Sequence, residues 1–365
     1  MNTFEPELPE EVAARTKGLR TGWSTGTCAS AAAKAAVWAL VHGEHLGTVE
    51  VPMPNNRRRV TFTVVPAGLA SAVVVKDAGD DPDCTHGARI TARAAWLLGG
   101  GDLVRMTAGP GVGTVTKPGL GLPVGAPAIN PVPRRMIEKA VREVTDRPVS
   151  IEISVPGGEE MARQTTNERL GIVGGISILG TNGIVRPFST ASYRASVVQQ
   201  VDVAAAQGER VIVLATGHRS ESRARTLWPE IDPVCFVEVG DFTGVALRRC
   251  AGKSIRTVHF VGMAGKIAKL AAGVMMTHFH RSDVDTAVLE RAAREASASE
   301  AVVEAATATD TARHFFEVCM AEEARGPLNL LCDWAHTACE AHVKGKFPVD
   351  VSMVDYEGSA VVARG

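Results

Sequence analysis

The residues best suited to chemistry lie in short loops. Asp77, Asp80, Asp81, Asp83 and His86 fall within the ten residues of DAGDDPDCTH. Carboxylates crowded in this way repel one another, which raises some of their pKa values and prepares an acid, a base or a hard-cation site. The spacing is not that of an EF-hand, and a solvated acidic turn built on Asp-Gly and Asp-Pro is the plainer reading. A second cluster, Thr21, Gly22, Ser24, Thr25, Gly26 and Thr27, directly precedes an alanine-rich run. Hydroxyls and free amides at a positive helix end make an anion site, although a helix cap with a glycine turn uses the same residues. No GK[ST] follows, which argues against a nucleotide P-loop.

Glycines form the third pattern. GIVGGISILGTNG spans 171–183, and three later apolar runs end in ATGHRSE, VEVGDFTG and FVGMAGK. Strands that each end in a glycine turn describe a crevice for a nucleoside-like ligand, where Glu238 or Asp241 can hold a ribose diol. Any one of these turns can equally be structural. His278 and His280, with Arg281, Asp283 and Asp285, read as a metal pair or as solvated helix-end residues. Cys332, His336 and Cys339 share one helix face at i, i+4 and i+7; with no fourth ligand beside them, a buried stripe is preferred to zinc.

The elements that carry these loops follow from periodicity. Residues 1–17 read as a polar tail, followed by an N-terminal α+β domain over 18–158. There the alanine-rich helix ends near Gly43, and TVEVPMP, RRVTFTVVPAG and LASAVVVKDAG read as three antiparallel strands leading into the acidic loop. ARITARAAWLLGGG fits a strand or a helix, and RRMIEKAVREVTD is a short amphipathic helix before the strand PVSIEISV. From 159 to 345, strand, glycine turn and helix repeat, which argues a Rossmann-like α/β domain with a mostly parallel sheet. Residues 346–365 close the chain as a strand pair.

Composition narrows the class. The 365 residues carry a net charge of -1, so no strong pull toward nucleic acid or a membrane surface exists. At 45% hydrophobic and 22% charged, the chain is an ordinary globular composition. Its seven cysteines are odd in number and hold no CxxC, as expected of reduced thiols in a cytoplasmic protein; no apolar run is long enough for a signal peptide or a membrane span.

Six segments in order resemble the CbiD family, the cobalt-precorrin-5B C1-methyltransferases of cobalamin biosynthesis. They are LRTGWSTGTCASAAAKAA, KDAGDDPDCTHGA, GVGTVTKPGLGLPVGAPAINPVPRRMI, TNERLGIVGGISILGTNGIVRPFS, ATGHRSE and GMAGKIAKLAAGVMMTH. The resemblance runs from about residue 18 to the C-terminus. It implies transfer of a methyl group from S-adenosylmethionine to ring carbon 1 of a contracted tetrapyrrole, with cobalt present only as part of the substrate. It also implies a two-part α/β fold. The expected partner is the tetrapyrrole, with no nucleic acid, no membrane and self-association left open.

Under that reading, Thr25, Gly26, Thr27, Lys34 and Lys117 are candidates for holding the substrate's carboxylates, joined by Lys266 and His278, which match the family's pattern. Gly174, Gly175, Gly180, Thr181, Thr216, Gly217, Glu221, Glu238 and Asp241 are candidates for the cofactor. Asp77, Asp81 and His86 are expected to orient the ring or manage a proton, with no covalent enzyme intermediate. The chain departs from the family in reading THFHRSDVD where THS is frequent and MAGK at 263–266 where HIGK is frequent. Alternative readings are a lyase or hydrolase removing the two-carbon fragment lost in ring contraction, a dinucleotide oxidoreductase, and a non-catalytic carrier. The absence of G-x-G-x-x-G after a strand argues against the oxidoreductase.

Overall fold

The computed structural model describes residues 18–54, 58–98, 103–277, 285–308 and 311–365. Two compact units result, one of residues 18–190 and the other of Ala191–Gly365. His278 and His280 lie outside the described residues.

The N-terminal unit is built on one buried helix. Ser24 caps it by accepting the Thr27 amide at 3.2 Å, and Gly43, at φ 74°, ends it with its amide donated to the Ala39 carbonyl. Between these caps, α1 (Thr25–His42) is alanine-rich, and its alanines from Ala29 to Ala39 are buried. Small side chains on every face let the helix sit deep against a sheet, which explains why it lacks a marked polar stripe. Preceding it is the two-residue strand β1 (Gly22–Trp23); after it come β2 (Thr48–Pro52), β3 (Arg59–Thr63), β4 (Val65–Gly68), β5 (Ser71–Val75), β6 (Arg89–Trp96) and β7 (Val104–Ala108). The short strands β8 (Gly111–Val112) and β9 (Thr114–Val115), the helix α2 (Pro131–Arg142), the strand β10 (Val149–Ser154) and the helix α3 (Gly158–Ala162) follow. The unit ends with β11 (Ile172–Val173), β12 (Gly175–Ile176) and β13 (Ile184–Val185).

The main sheet has the order β4-β5-β6-β10-β7 and is antiparallel except between β10 and β7. Ile90, Ala92 and Ala94 alternate with Ile151 and Ile153 in a core shared with α1 and α2. Fully burying each such isoleucine contributes about 2 kcal/mol. The expected run of three antiparallel strands is divided: β2 and β3 form a separate hairpin, while the third segment joins β4 and β6 in the main sheet. ARITARAAW is a strand, as its buried alternation requires.

The boundary between the units also differs from the expected residue 158. Residues 159–190 stay with the N-terminal unit because their short strands pair backwards, β11 with β9, β12 with β8 and β13 with β1.

The C-terminal unit contains α4 (Ala191–Ala206), β14 (Val211–Ala215), α5 (His218–Leu227), β15 (Phe236–Glu238), α6 (Thr243–Ala251), β16 (Thr257–Gly262) and α7 (Ala264–Ala271). It continues through α8 (Thr286–Glu295), α9 (Glu300–Ala308), α10 (Ala312–Ala321), α11 (Arg325–His342), β17 (Val349–Val354) and β18 (Val361–Arg364). The sheet order is β15-β14-β16-β17-β18, parallel through β17, with β18 antiparallel at the edge. The closing strand pair is therefore part of this sheet and not a separate segment. Ile212, Val213, Leu214 and Ala215 are all fully buried, as befits strands covered on both faces. From β14 the chain crosses to β15 on one side and then to β16 on the other, so right-handed crossovers place α5 and α6 on opposite faces. Among the described residues, no helix is long and apolar enough to cross a membrane.

Candidate active site

In the C-terminal unit, β14 hands the chain toward β15 while β16 hands it toward β17. Ligands in doubly wound sheets bind where neighbouring strands part company in this way, just beyond their carboxyl ends. The residues there are Thr216 and Gly217 after β14, and Met263, Ala264 and Gly265 after β16. A Cβ added at Gly217 or Gly265 would meet nothing within 4 Å, so space is open at both strand ends. Glu238 is the last residue of β15, about 20 residues beyond Gly217, the place from which an acidic side chain reaches a ribose in dinucleotide folds.

Lys266 spans this edge from the first turn of α7. Its ammonium donates to the Thr216 carbonyl at 3.2 Å and the Gly240 carbonyl at 2.9 Å, and lies 3.2 Å from Asp241 Oδ1. All three protons have acceptors. Lys266 therefore ties the ends of β14 and β15 together, a different role from the substrate contact expected of it. Tyr193 braces the same edge: its hydroxyl donates to the Glu238 carbonyl at 3.1 Å, and its ring stands 2.8 Å from where a Cβ on Gly240 would be. Thr216, Gly217, Glu238 and Asp241 thus come together. Glu221 is buried within α5, where Arg225 Nε donates to it at 2.9 Å, so it braces the helix.

The other cofactor candidates lie in the N-terminal unit. Gly175 pairs with Gly111, and a Cβ there would be 2.2 Å from the Gly111 backbone; a Cβ on Gly180 would be 2.3 Å from Ser24 Oγ. Both glycines permit close packing of the chain on itself. Gly174 and Thr181 are exposed beside them.

That packing consumes the expected anion site. Thr25 Oγ1 accepts the Leu179 amide at 2.9 Å, the Gly26 amide donates to the Leu179 carbonyl at 3.0 Å, and Thr27 Oγ1 donates to the Gly183 carbonyl at 2.8 Å. A Cβ on Gly26 would be 2.6 Å from Pro133 Cγ. Thr25, Gly26 and Thr27 are buried and bonded within the chain, so they anchor the 177–183 loop. Lys34 is likewise engaged, donating to Glu143 at 2.6 Å and to the Glu50 carbonyl at 2.8 Å. Arg59 binds the same Glu143 at 2.8 and 2.9 Å and Glu50 at 2.9 Å, which joins α1, the β2–β3 hairpin and the end of α2. These partners hold the Glu143 carboxyl down at about 2. Lys117 is half-buried, its aliphatic chain lying over Gly171.

The acidic loop joins β5 to β6, and its carboxylates are individually partnered. Arg20 forms a two-pronged ion pair with Asp77, whose carboxyl also accepts the Gly79 amide at 2.9 Å. Hydrogen bonding from Arg20, then from Gly79, holds Asp77 down at about 2. Lys76, 1% exposed, donates to Asp83 at 2.7 Å, and Asp83 also accepts the Thr85 amide and hydroxyl. Burial pushes the Asp83 carboxyl up, but Lys76 and Thr85 outweigh it and the net direction is down. The raised carboxylates expected from crowding are therefore not found at Asp77 or Asp83. Asp81 accepts the Phe188 amide at 2.9 Å, and Asp80 the Arg20 amide at 2.6 Å. His86 Nδ1 accepts the Ala78 amide at 3.1 Å, which fixes the neutral tautomer with its proton on Nε2 in a half-exposed side chain. Arg20 and Lys76 are the residues that sequence reasoning missed; the signal was a cation just ahead of each of two motifs already singled out.

The C-terminal edge thus has the form of an α/β ligand-binding crevice at a topological switch point. The sequence matches CbiD over residues 12–187 and the family described as CbiD, C-terminal domain, over 276–365. It is 56% identical, over 98% of its length and 96% of the relative's, to the cobalt-precorrin-5B C(1)-methyltransferase of Salinispora arenicola. The protein of the same name from Rubrobacter xylanophilus is 55% identical, with 97% of this chain and 93% of that one covered. A crystal structure of cobalamin biosynthesis protein CbiD from Archaeoglobus fulgidus is 31% identical, covering 76% of this chain and 84% of that one at a TM-score of 0.40. The chain belongs to the CbiD family.

Proposed function

We propose that this protein is the enzyme that methylates ring carbon 1 of cobalt-precorrin-5B in cobalamin biosynthesis, giving cobalt-precorrin-6A. The observation that carries the reading is 56% identity, across nearly the whole of both chains, to a relative of that name. The methyl donor is S-adenosylmethionine, which supplies an electrophilic methyl group on a sulfonium when bound. The switch-point crevice of the C-terminal unit fits it, since the space beside Gly217 and Gly265 is open and an acidic residue ends the neighbouring strand.

The roles of the chain's own residues follow. Glu238 accepts hydrogen bonds from the ribose, while the backbone of Thr216 and Gly217 lines the adenosyl side. Lys266 and Asp241 hold the strand ends in register, and their mutual neutralisation keeps an uncompensated cation away from a sulfonium. Displacement at a sulfonium needs alignment and exclusion of water more than a protein nucleophile. In the N-terminal unit, Asp77 stays ionised near neutral pH and acts by holding its loop; His86 presents an Nε2 proton to a carboxylate or the ring. A carboxyl held that low is a poor general base, so Asp77 does not supply the base that a two-carbon lyase needs.

The test is incubation of purified protein, without oxygen, with cobalt-precorrin-5B and methyl-labelled donor. Label at ring carbon 1 is expected; unlabelled tetrapyrrole, or release of acetaldehyde without methylation, would remove the reading.

A further inference from the structure

The main sheet of the N-terminal unit packs α1 and α2 on one face, and its other face carries Arg89 and Arg93 on β6 and Arg105 on β7. Register establishes that these share a face: Arg93 stands opposite Glu152 of β10, Ala95 opposite Ser150, and Ser150 opposite Arg105. All three arginines are exposed, and none has a hydrogen-bond or ion-pair partner among the described residues. Glu152, directly across from Arg93, forms no ion pair with it within 4 Å; its side chain leans toward Gly109, with Cγ 3.0 Å from where a Cβ there would be. Three arginines against one glutamate leave this sheet face with a surplus of positive charge.

Geometry gives the patch a size. Four residues along β6 separate the Arg89 and Arg93 backbones by about 13 Å, and two strands plus two residues separate Arg93 from Arg105 by about 12 Å. Between them lie the small residues Thr91, Ala95 and Ser150, with Glu152 and Thr107 beside them and the Glu152 side chain drawn toward Gly109, so a flat body can lie over the centre while long guanidinium arms reach its rim.

We propose that this face binds a planar polycarboxylate macrocycle, its peripheral carboxylates taken by Arg89, Arg93 and Arg105. Guanidinium forks suit carboxylates, and separated cations select a ligand whose anionic groups are spread around a rim. The proposal rests on the methyltransferase reading and names the surface on which that substrate lies.

The test uses the full chain and uroporphyrin, a stable planar tetrapyrrole fringed by acetates and propionates, followed by absorbance titration. Salt-sensitive binding is expected, weakened about tenfold or more in Arg93→Gln/Arg105→Gln. Arg163→Gln, which removes one positive charge at the residue that follows α3, 76% exposed and paired with Glu160, leaves the affinity unchanged. Unaltered thermal midpoints and S-adenosylhomocysteine affinity in the double variant show that folding and the donor site are intact. Binding undiminished in the double variant, equally diminished in Arg163→Gln, or absent from the parent protein overturns the assignment. Uroporphyrin binding that depends on Arg93 and Arg105, in a parent protein that shows no methyl transfer, would separate this face from the proposed reaction and leave the face standing.

Discussion

Two kinds of charged group stand apart in this molecule, those that hold the scaffold and those left for ligands. Glu143 is the clearest of the first kind, gripped by Lys34 and Arg59. Its carboxyl lies at about 2 against an ordinary value of 4.5, so its contribution to stability is complete above pH 4.5 and is lost as pH falls toward 2. Discounted for the partial exposure of the trio, that contribution is about 1–2 kcal/mol. Glu143→Gln should therefore be less stable by this amount in denaturant unfolding at pH 7, with the gap reduced to about a quarter at pH 2.5; a gap of the same size at both would count against the account. Lys266 offers a functional contrast. Lys266→Met should weaken S-adenosylhomocysteine binding about tenfold, roughly 1.4 kcal/mol, with partial recovery in Lys266→Arg. Calorimetric titration measures this, and unchanged affinity would show that the tie between strand ends has no bearing on the donor.

At the level of elements, two classes of glycine make opposite predictions. Gly175 lies against the Gly111 backbone, where no rotamer change makes room, so Gly175→Ala should cost about 3 kcal/mol or more. Gly217 is extended, at φ 168°, with open space before it, and Gly217→Ala should fold within about 0.5 kcal/mol of the parent while weakening donor binding. Thermal unfolding paired with donor titration separates the two; equal stability losses would refute the distinction. The same contrast shows what was legible in the sequence. A serine cap, an alanine run and a terminal glycine defined α1, and continuous apolar strands defined the parallel sheet. Yet the glycine cluster at 171–183 looked like the cofactor turns, because local sequence does not say whether backbone or ligand fills the space beside a glycine. Alternation in β2 and β3 likewise marked which residues face inward but not which strand each would join.

For the molecule as a whole, the division at 190/191 was invisible in composition because short backward pairings, not a long strand, carry residues 159–190 into the first unit. A fragment of residues 18–190 should unfold cooperatively, whereas one ending at 158 lacks the loop that satisfies Thr25, Gly26 and Thr27 and should not; circular dichroism melts decide it. The cysteines carry a last consequence. Burial pushes Cys28, Cys235, Cys250, Cys319, Cys332 and Cys339 up to about 12, and all six are inaccessible. Cys84 alone is half-open, and it sits two positions from His86. Burial, then the Asp83 carboxylate, push the Cys84 thiol up as well, so exposure alone sets it apart, and alkaline alkylation should attach a fluorophore at that one thiol, turning the native chain, without any substitution, into an optical reporter of whatever arrives at the acidic loop.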